Sequence, residues 1–534
     1  MNRISRPFAT LLALIIIFAT SSCNKSKMEA LKYIPKNATS VLEINTKDIL
    51  EKLKSDNYTI DSVFKTMDLD SNSKALTEIY DYNKPLFIFY KSSSSIAEGN
   101  QMLSGIIVPL TSKGNLETYI KTHLPGKAIV EDKAFSYVQI NNNTICGWKD
   151  NTLICLNNQG GANTDLLSNF LSLKKEESLY SNKDAEKALS EKGDICFFVN
   201  SSQSLNNLPF IGITKASDLV DNTYGYGTIN FDKGVIDIKS NQHLNATMVD
   251  LIKKNPSQDL SGNALSSFPG KPQGLLDISF NMKQLVSFLD YAGVKNTVND
   301  YLQKIGSSID DLSAAFTGEI ALAFSNLDLQ KKDLSAGNLR MTSLPSANFV
   351  LTLPIADKSA YDKFTIALAR MGFFVPYNGA LVPKIFADSA ASMFYNANDK
   401  AVTLASSKNL LDSFVNNKGR VELPSDISNK NKTSIFYLDA QNILSSLPAT
   451  GSDSLQTILV KNTFKSMKGS ADNLKGNIAT ANLSIILMND QQNSLSQILR
   501  FVSALKKMSK DSPAGFGSMD TNIPPPPNID TTIR

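Results

Sequence analysis

The side chains in this sequence that could do chemistry are few and far apart. Four cysteines, Cys23, Cys146, Cys155 and Cys196, and two histidines, His123 and His243, supply every thiol and imidazole of the chain. A zinc site needs several such ligands at short spacings, and neither histidine has a Cys or His close by. A Ser-His-Asp triad would have to use one of these imidazoles, yet no Gly-x-Ser-x-Gly elbow is present. His123 ends a helical pattern, where an imidazolium suits the negative end of the helix dipole, and His243 ends a strand pattern. Residues 68–73 open like a calcium loop, but Ser73 stands where the turn needs Gly and Ile79 where a bidentate Glu belongs. Gly225-Tyr226-Gly227 begins like a dinucleotide fingerprint, lies in a strand pattern and lacks the third glycine, which is Asn230. Asp310 and Asp311 are adjacent on a helix and point apart, so they make no glycosidase pair. No catalytic residue, metal site or cofactor is expected from these residues.

Cys23 has a different context. Arg3 and Arg6 precede an apolar run at 11–19, which is followed by Thr20, Ser21 and Ser22, the order of a secretory signal. The run is too short to cross a bilayer as a helix, which takes about twenty residues. Ser21-Ser22-Cys23 resembles the lipobox of bacterial lipoproteins, and the resemblance implies cleavage before Cys23 and acylation of its thiol. Two or more acyl chains make such an anchor stable, at about 0.8 kcal/mol per buried CH₂. The residues after Cys23, Asn24-Lys25-Ser26-Lys27, lack the acidic cluster of surface-exported lipoproteins, so an outer-membrane anchor facing the periplasm is expected.

Charge argues against nucleic acid as a partner. The chain has 54 basic and 50 acidic side chains, and removing Arg3 and Arg6 with the signal leaves 52 against 50. So balanced a charge gives no electrostatic reason to bind nucleic acid. With Cys23 assigned to lipid, Cys146 and Cys155 fall opposite one another if 145–155 is a hairpin turning at Asp150-Asn151, a type I′ pair. A cross-strand disulfide in an oxidising compartment and three small buried hydrophobes, Cys196 included, both remain open.

Repeats set the organisation. A strand, a polar turn and the start of a helix occur at 40–50, and the same sketch returns at 194–205, 274–285 and 433–444. The Asn or Asp closing each strand can cap the helix that follows. Beyond this, a larger unit of about 230 residues recurs. Strand 103–110 and helix 114–124 correspond to 347–355 and 358–371, and each half closes on a strand pair and a helix, 224–244 with 246–254 and 474–488 with 494–508. The expected fold is α+β in two similar tandem lobes, each a mostly antiparallel sheet with packed helices. Alternation sends some of the aromatic residues of the repeated strands, Phe197, Phe198, Phe280, Phe436 and Tyr437, inward and some to the other face; core packing is the default for them, and an exposed pair could floor an apolar groove. The segments are a signal peptide at 1–22, a lipidated tether at 23–31, a first lobe at 32–256, a second at 273–510 and a disordered Pro-rich tail at 511–534.

The lipidated start, Tyr33-Ile34-Pro35-Lys36-Asn37-Ala38 followed by Val41-Leu42-Glu43-Ile44-Asn45, and the doubled layout resemble uncharacterised Bacteroidetes lipoproteins classified only as a domain of unknown function. The resemblance implies no activity and no site residues. Asp-Ser-apolar tripeptides at 61–63, 388–390 and 453–455 resemble the O-glycosylation acceptor of the same bacteria. The expected role is that of a lipid-anchored envelope protein that binds or scaffolds an envelope partner without catalysis. A periplasmic carrier of an apolar ligand and an unrecognised hydrolase are the alternatives.

Overall fold

The structure, a computed structural model, describes residues 29–59, 77–92, 102–132, 134–202, 215–328, 346–377, 380–384, 393–425, 427–445 and 454–511. Cys23, the 68–73 loop and the Pro-rich tail lie outside these residues, as do the first two Asp-Ser tripeptides and Asp453 of the third.

The first half runs through β1 (Ser40–Ile44), α1 (Thr46–Ser55), β2 (Leu86–Ser92), β3 (Met102–Pro109), α2 (Lys113–His123), β4 (Val130–Glu131), β5 (Ser136–Asn141), β6 (Thr144–Lys149) and β7 (Thr152–Asn158). It continues with α3 (Thr164–Leu171), α4 (Lys183–Leu189), β8 (Ile195–Asn200), α5 (Ser217–Val220), β9 (Tyr224–Asp232), β10 (Val235–His243) and α6 (Ala246–Lys254). The second half opens with β11 (Gly274–Ser279), α7 (Met282–Tyr291), α8 (Lys295–Lys304), α9 (Ile309–Ala315), β12 (Glu319–Asp328), β13 (Ser346–Pro354) and α10 (Lys358–Arg370). A separate hairpin follows, β14 (Phe374–Tyr377) with β15 (Ala380–Pro383), then β16 (Phe394–Ala397), β17 (Ala401–Ala405) and α11 (Lys408–Val415). The chain closes on β18 (Lys432–Leu438), α12 (Ala440–Ser445), α13 (Ser454–Lys461), β19 (Phe464–Asp472), β20 (Ile478–Leu487) and α14 (Ser494–Asp511).

All strands but the β14–β15 hairpin form one open, wholly antiparallel sheet of 18 strands. The pairings trace β4-β5-β6-β7-β3-β2-β1-β8-β9-β10 in the first half. They continue through β20-β19-β18-β11-β12-β13-β17-β16 in the second. The halves meet at β10 and β20, which pair from Val235↔Ile486 to His243↔Ile478. Read outward from that seam, the eight strands of the second half follow the order of the first eight of the first half, whose β5 and β4 extend the sheet further. The α+β class and the antiparallel pairing are as expected. The expectation of a separate sheet in each lobe is corrected, because the strand ladder runs through the junction without a break.

Period-two alternation sends side chains to two faces. On the face covered by α1, Ile49, Leu50 and Leu53 recur at helical spacing and pack with Ile44, Ile88, Ile106 and Trp148. On the other face α3 packs Leu167, Phe170 and Leu171 against Phe87, Phe89, Ile107 and Ile154. In the second half α11 covers this latter face with Leu410, Leu411 and Phe414, while α10 and α9 cover the former around Tyr361 and Ala315. The stretch between the expected lobes, 257–272, supplies buried Leu260, Leu265 and Phe268 to the core under α11.

Several local expectations differ. The last strand pair starts at Phe464, ten residues before the expected 474. Its first strand, Phe-Lys-Ser-Met-Lys-Gly-Ser-Ala-Asp, has little apolar alternation and is held by ladders on both sides. Asp150 takes a positive φ of 53° and Asn151 does not, so the β6–β7 turn is not type I′. Asn281 and Asp439 cap their helices as expected, through Lys283 N and Asn442 N. Asn45 does not cap α1, and instead donates from Nδ2 to the Gly193 carbonyl. Gly227 lies in β9 where the backbone of β10 passes close, and a Cβ there would stand 1.8 Å from the Lys239 carbonyl oxygen. That contact accounts for the glycine without a nucleotide.

Candidate functional site

The residues singled out from sequence do not converge. His123 stacks on Tyr119 at the end of α2, and His243 stacks on Tyr224 with its Nε2 on Asn477. Cys146 and Cys155 are directly opposed in β6 and β7, with Cα atoms 4.1 Å and sulfurs 2.22 Å apart. Cys196 is buried in β8. Among the described residues, no group of three or more His, Cys, Asp or Glu could hold a metal ion.

The candidate site lies elsewhere, on the α3 face of the second half. A central row of that face crosses five strands of the first half as Cys196, Glu43, Phe87, Ile107 and Ile154. The row in the same place of the second half is Ile435, Asp277, Ala321, Thr352 and Thr403. Both rows carry a buried carboxylate next to the central pairing. Beyond it, three large apolar side chains are replaced by an alanine and two threonines. Phe89 likewise has its counterpart in Ala323, two residues on.

Less side-chain volume leaves an open cleft of ≈ 610 Å³ under the 257–272 segment and α11. Its floor is Ser279, Glu319, Thr352 and Thr403; Asn263 and Asn417 stand at its walls. Gly318 enters β12 at φ 96°, in backbone contact with Phe280, where a Cβ would lie 1.8 Å from the Phe280 carbonyl oxygen. Only glycine fits that bend, which delivers Glu319 to the floor.

Glu319 is 7 % exposed, and its Oε1 accepts from Ser261 N at 3.1 Å and Ser261 Oγ at 3.0 Å. Asp277 is 4 % exposed, projects from the same face of β11 as Ser279, and does not itself line the cleft. Its Oδ1 has no hydrogen-bond partner among the described residues. Burial, with the neighbouring Glu319 carboxylate, pushes the Asp277 carboxyl up to about 7. The remaining charges at the cleft are Asp259, Asp399 and Lys400, so acids outnumber bases there.

A larger surface dip at His243, ≈ 750 Å³, is ringed by the exposed Asp218, Asp221, Asp250 and Lys253 and has no comparable buried floor.

An open antiparallel α+β sheet with a polar cleft defines the class of this protein. Residues 31–495 match the family model described as Domain of unknown function (DUF4836), and the chain belongs to that family. No curated protein matches it. Among solved structures, crystal form IV of TP0453 is similar over 44% of this chain and 89% of that chain, at 9% identity and a TM-score of 0.25. Crystal form I of TP0453 is similar over 43% and 86%, at 10% identity and a TM-score of 0.24. A likeness of that size supports no statement about ligand or activity.

The cleft was within reach of the sequence. Laying Val41-Leu42-Glu43-Ile44 on Leu275-Leu276-Asp277-Ile278 aligns the two acids. Carrying the comparison into the next strand sets Phe87 and Phe89 against Ala321 and Ala323.

Proposed function

We propose that the protein is a lipid-anchored, non-enzymatic binding protein of the cell envelope, built from two related halves of which the second binds. The observation that carries this reading is the replacement of Phe87, Ile107 and Ile154 by Ala321, Thr352 and Thr403 at matching places in the sheet. Emptying a core position costs stability, about 2–5 kcal/mol for a large-to-Ala change, and an opened, hydroxyl-lined space is the return. Duplication is supported by the matching strand order and by the paired acids Glu43 and Asp277. The envelope address rests on the Arg3-to-Cys23 segment of the sequence.

A hydrolase would need both carboxylates at the substrate. Only Glu319 of the pair lines the cleft, with Asp277 behind it, which favours recognition over acid–base chemistry.

Two experiments test the proposal. In the first, wild type and Cys23→Ala are fractionated after acyl labelling; label and membrane partition lost together support the anchor, while an unlabelled wild type overturns it. In the second, native mass spectrometry follows protein purified from envelopes. A small ligand carried by the wild type and lost from a folded Ala321→Phe supports the cleft, and a ligand retained by that variant removes it.

A second reading, a carrier of an apolar ligand, is favoured by Leu276, Ile278 and Ile320, which lie on the other face and remain 36–37% exposed. An apolar molecule that leaves when Ile278 and Ile320 become Ser would favour that reading; protein that purifies free of any apolar molecule would count against it.

A further inference from the structure

The binding cleft carries chemistry that narrows its ligand, and the inference below rests on the reading that this cleft binds. We infer that the cleft takes a polyhydroxylated molecule bearing a primary ammonium group, with the ammonium seated on Glu319.

The geometry is asymmetric in a way that favours a cation. Glu319 spends Oε1 on two donors from Ser261, which fix the carboxylate and support its charge. Behind it Asp277 contributes a second buried carboxyl with one oxygen free of any hydrogen-bond partner among the described residues. Asp277 does not line the cleft, so when ionised it acts on a ligand there through its charge rather than by contact. Asp259 and Asp399 add negative charge at the cleft, against Lys400 alone. An anion would meet this arrangement at a disadvantage, and a neutral ligand would leave the acids uncompensated. The ammonium would donate to Glu319, the carboxylate of the pair that lines the cleft. The rest of the ligand would face Ser279, Thr317, Thr352, Thr403, Asn263 and Asn417, hydroxyls and amides that suit a chain or ring of hydroxyl groups.

Proton linkage gives the inference a second handle. In the free protein Asp277 holds its proton up to about pH 7, because of burial and Glu319. A cation on Glu319 offsets that repulsion and favours ionised Asp277, so binding releases a proton where Asp277 was protonated. Affinity for an ammonium ligand therefore rises as pH climbs toward 7 and levels off above it. A primary alkylamine stays charged across this range, since such groups titrate near pH 10.4.

Glucamine (1-amino-1-deoxyglucitol) and sorbitol differ only in an amine for a hydroxyl, and they are the probes. Calorimetric titration of the full chain at about pH 8 should favour glucamine by at least ~10-fold, the size of one charge-assisted hydrogen bond. At about pH 5.5 the preference should shrink several-fold. Glu319→Gln keeps the acceptor for Ser261 and should lose the preference; Asp277→Asn should keep a reduced preference and lose its pH dependence. Should Glu319→Gln fail to fold, Asp277→Asn still decides through the pH profile. Equal binding of both polyols, or a preference indifferent to pH and to both variants, overturns the ammonium inference and leaves the cleft a binding site. If neither probe binds, the inference falls, and the Ala321→Phe mass experiment separately decides whether the cleft binds anything.

Discussion

Phe87 and Ala321 hold the same place in the two halves of one sheet, each directly opposite a buried carboxylate, Glu43 for the phenylalanine and Asp277 for the alanine. Phe87 is fully buried among Ile107, Ile154 and the helices above them. Ala321 is also fully buried, yet its neighbours Thr352 and Thr403 reach the floor of the cleft.

Reciprocal exchange at this pair should be unequal. Phe87→Ala removes a large side chain from a closed core and should cost about 3–5 kcal/mol in urea unfolding. Ala321→Phe adds a ring at a fully buried position beside the cleft-lining Thr352 and should cost less, about 1–3 kcal/mol. Equal and large losses would mean that the core under α11 is as tightly filled as the one under α3.

Asp277 gives a pH signature. Its carboxyl titrates at about 7 when folded, against an ordinary value of 3.8, so the folded chain holds a proton that the unfolded chain releases. The associated stability is full below about 3.8, falls as pH rises between the two values, and is gone above about 7. Glu319 is the nearest charge, with Asp259, Asp399 and Lys400 at the cleft. Wild-type stability minus that of Asp277→Asn should therefore decline from about pH 4 to about pH 7, then become flat. A difference that does not change with pH would remove the assignment.

An ion pair in the first half, buried at its acid and part-exposed at its lysine, should show coupling. Lys52 Nζ lies 2.8 Å from Asp194 Oδ2, and the Phe231 amide donates to the same oxygen at 2.6 Å. Asp194 is 2 % exposed, and burial raises its carboxyl against the lowering pull of Lys52 and that amide. Lys52→Met should cost about 1–3 kcal/mol by leaving the buried acid without its cation, and adding Asp194→Asn should recover part of the loss. A thermal-melting double-mutant cycle with no coupling would show the pair to be solvated.

The cysteines give a counting experiment. Under denaturing, non-reducing conditions the Cys23→Ala chain should expose one reactive thiol, that of Cys196, if Cys146 and Cys155 are bonded, and three if they are not. Reduction of the bonded form should lower stability by about 2–3 kcal/mol, the scale for a loop this short.

Local pattern made much of this fold legible. The helix at Ala246–Lys254 has the expected bounds, and α2, α10 and the long pair β9–β10 fall within a residue or two of theirs. These segments carry caps such as Asn245 and Asp357, and clear periods. The joining of the halves was not legible. β10 and β20 alternate like any half-buried strands, and nothing in Val235-Ile236-Asp237-Ile238 specifies a partner more than two hundred residues away. The cleft was missed for a related reason: alanines and threonines read as ordinary strand residues until set beside Phe87, Ile107 and Ile154. The acids of 277 and 319 are far apart in sequence and meet only through register.

The seam between β10 and β20 also bears on how the chain reaches this state. During synthesis the N-terminal half is available first, and β10 waits as an open edge until residues 478–487 arrive. An unpaired strand edge invites association with other chains. Asp237 and Lys239 lie in this edge, and charged side chains there discourage such association before Ser484 and Asn482 take their places opposite. The interval before the seam closes is thus the stage at which a truncated or slowly completed chain would be most prone to aggregate.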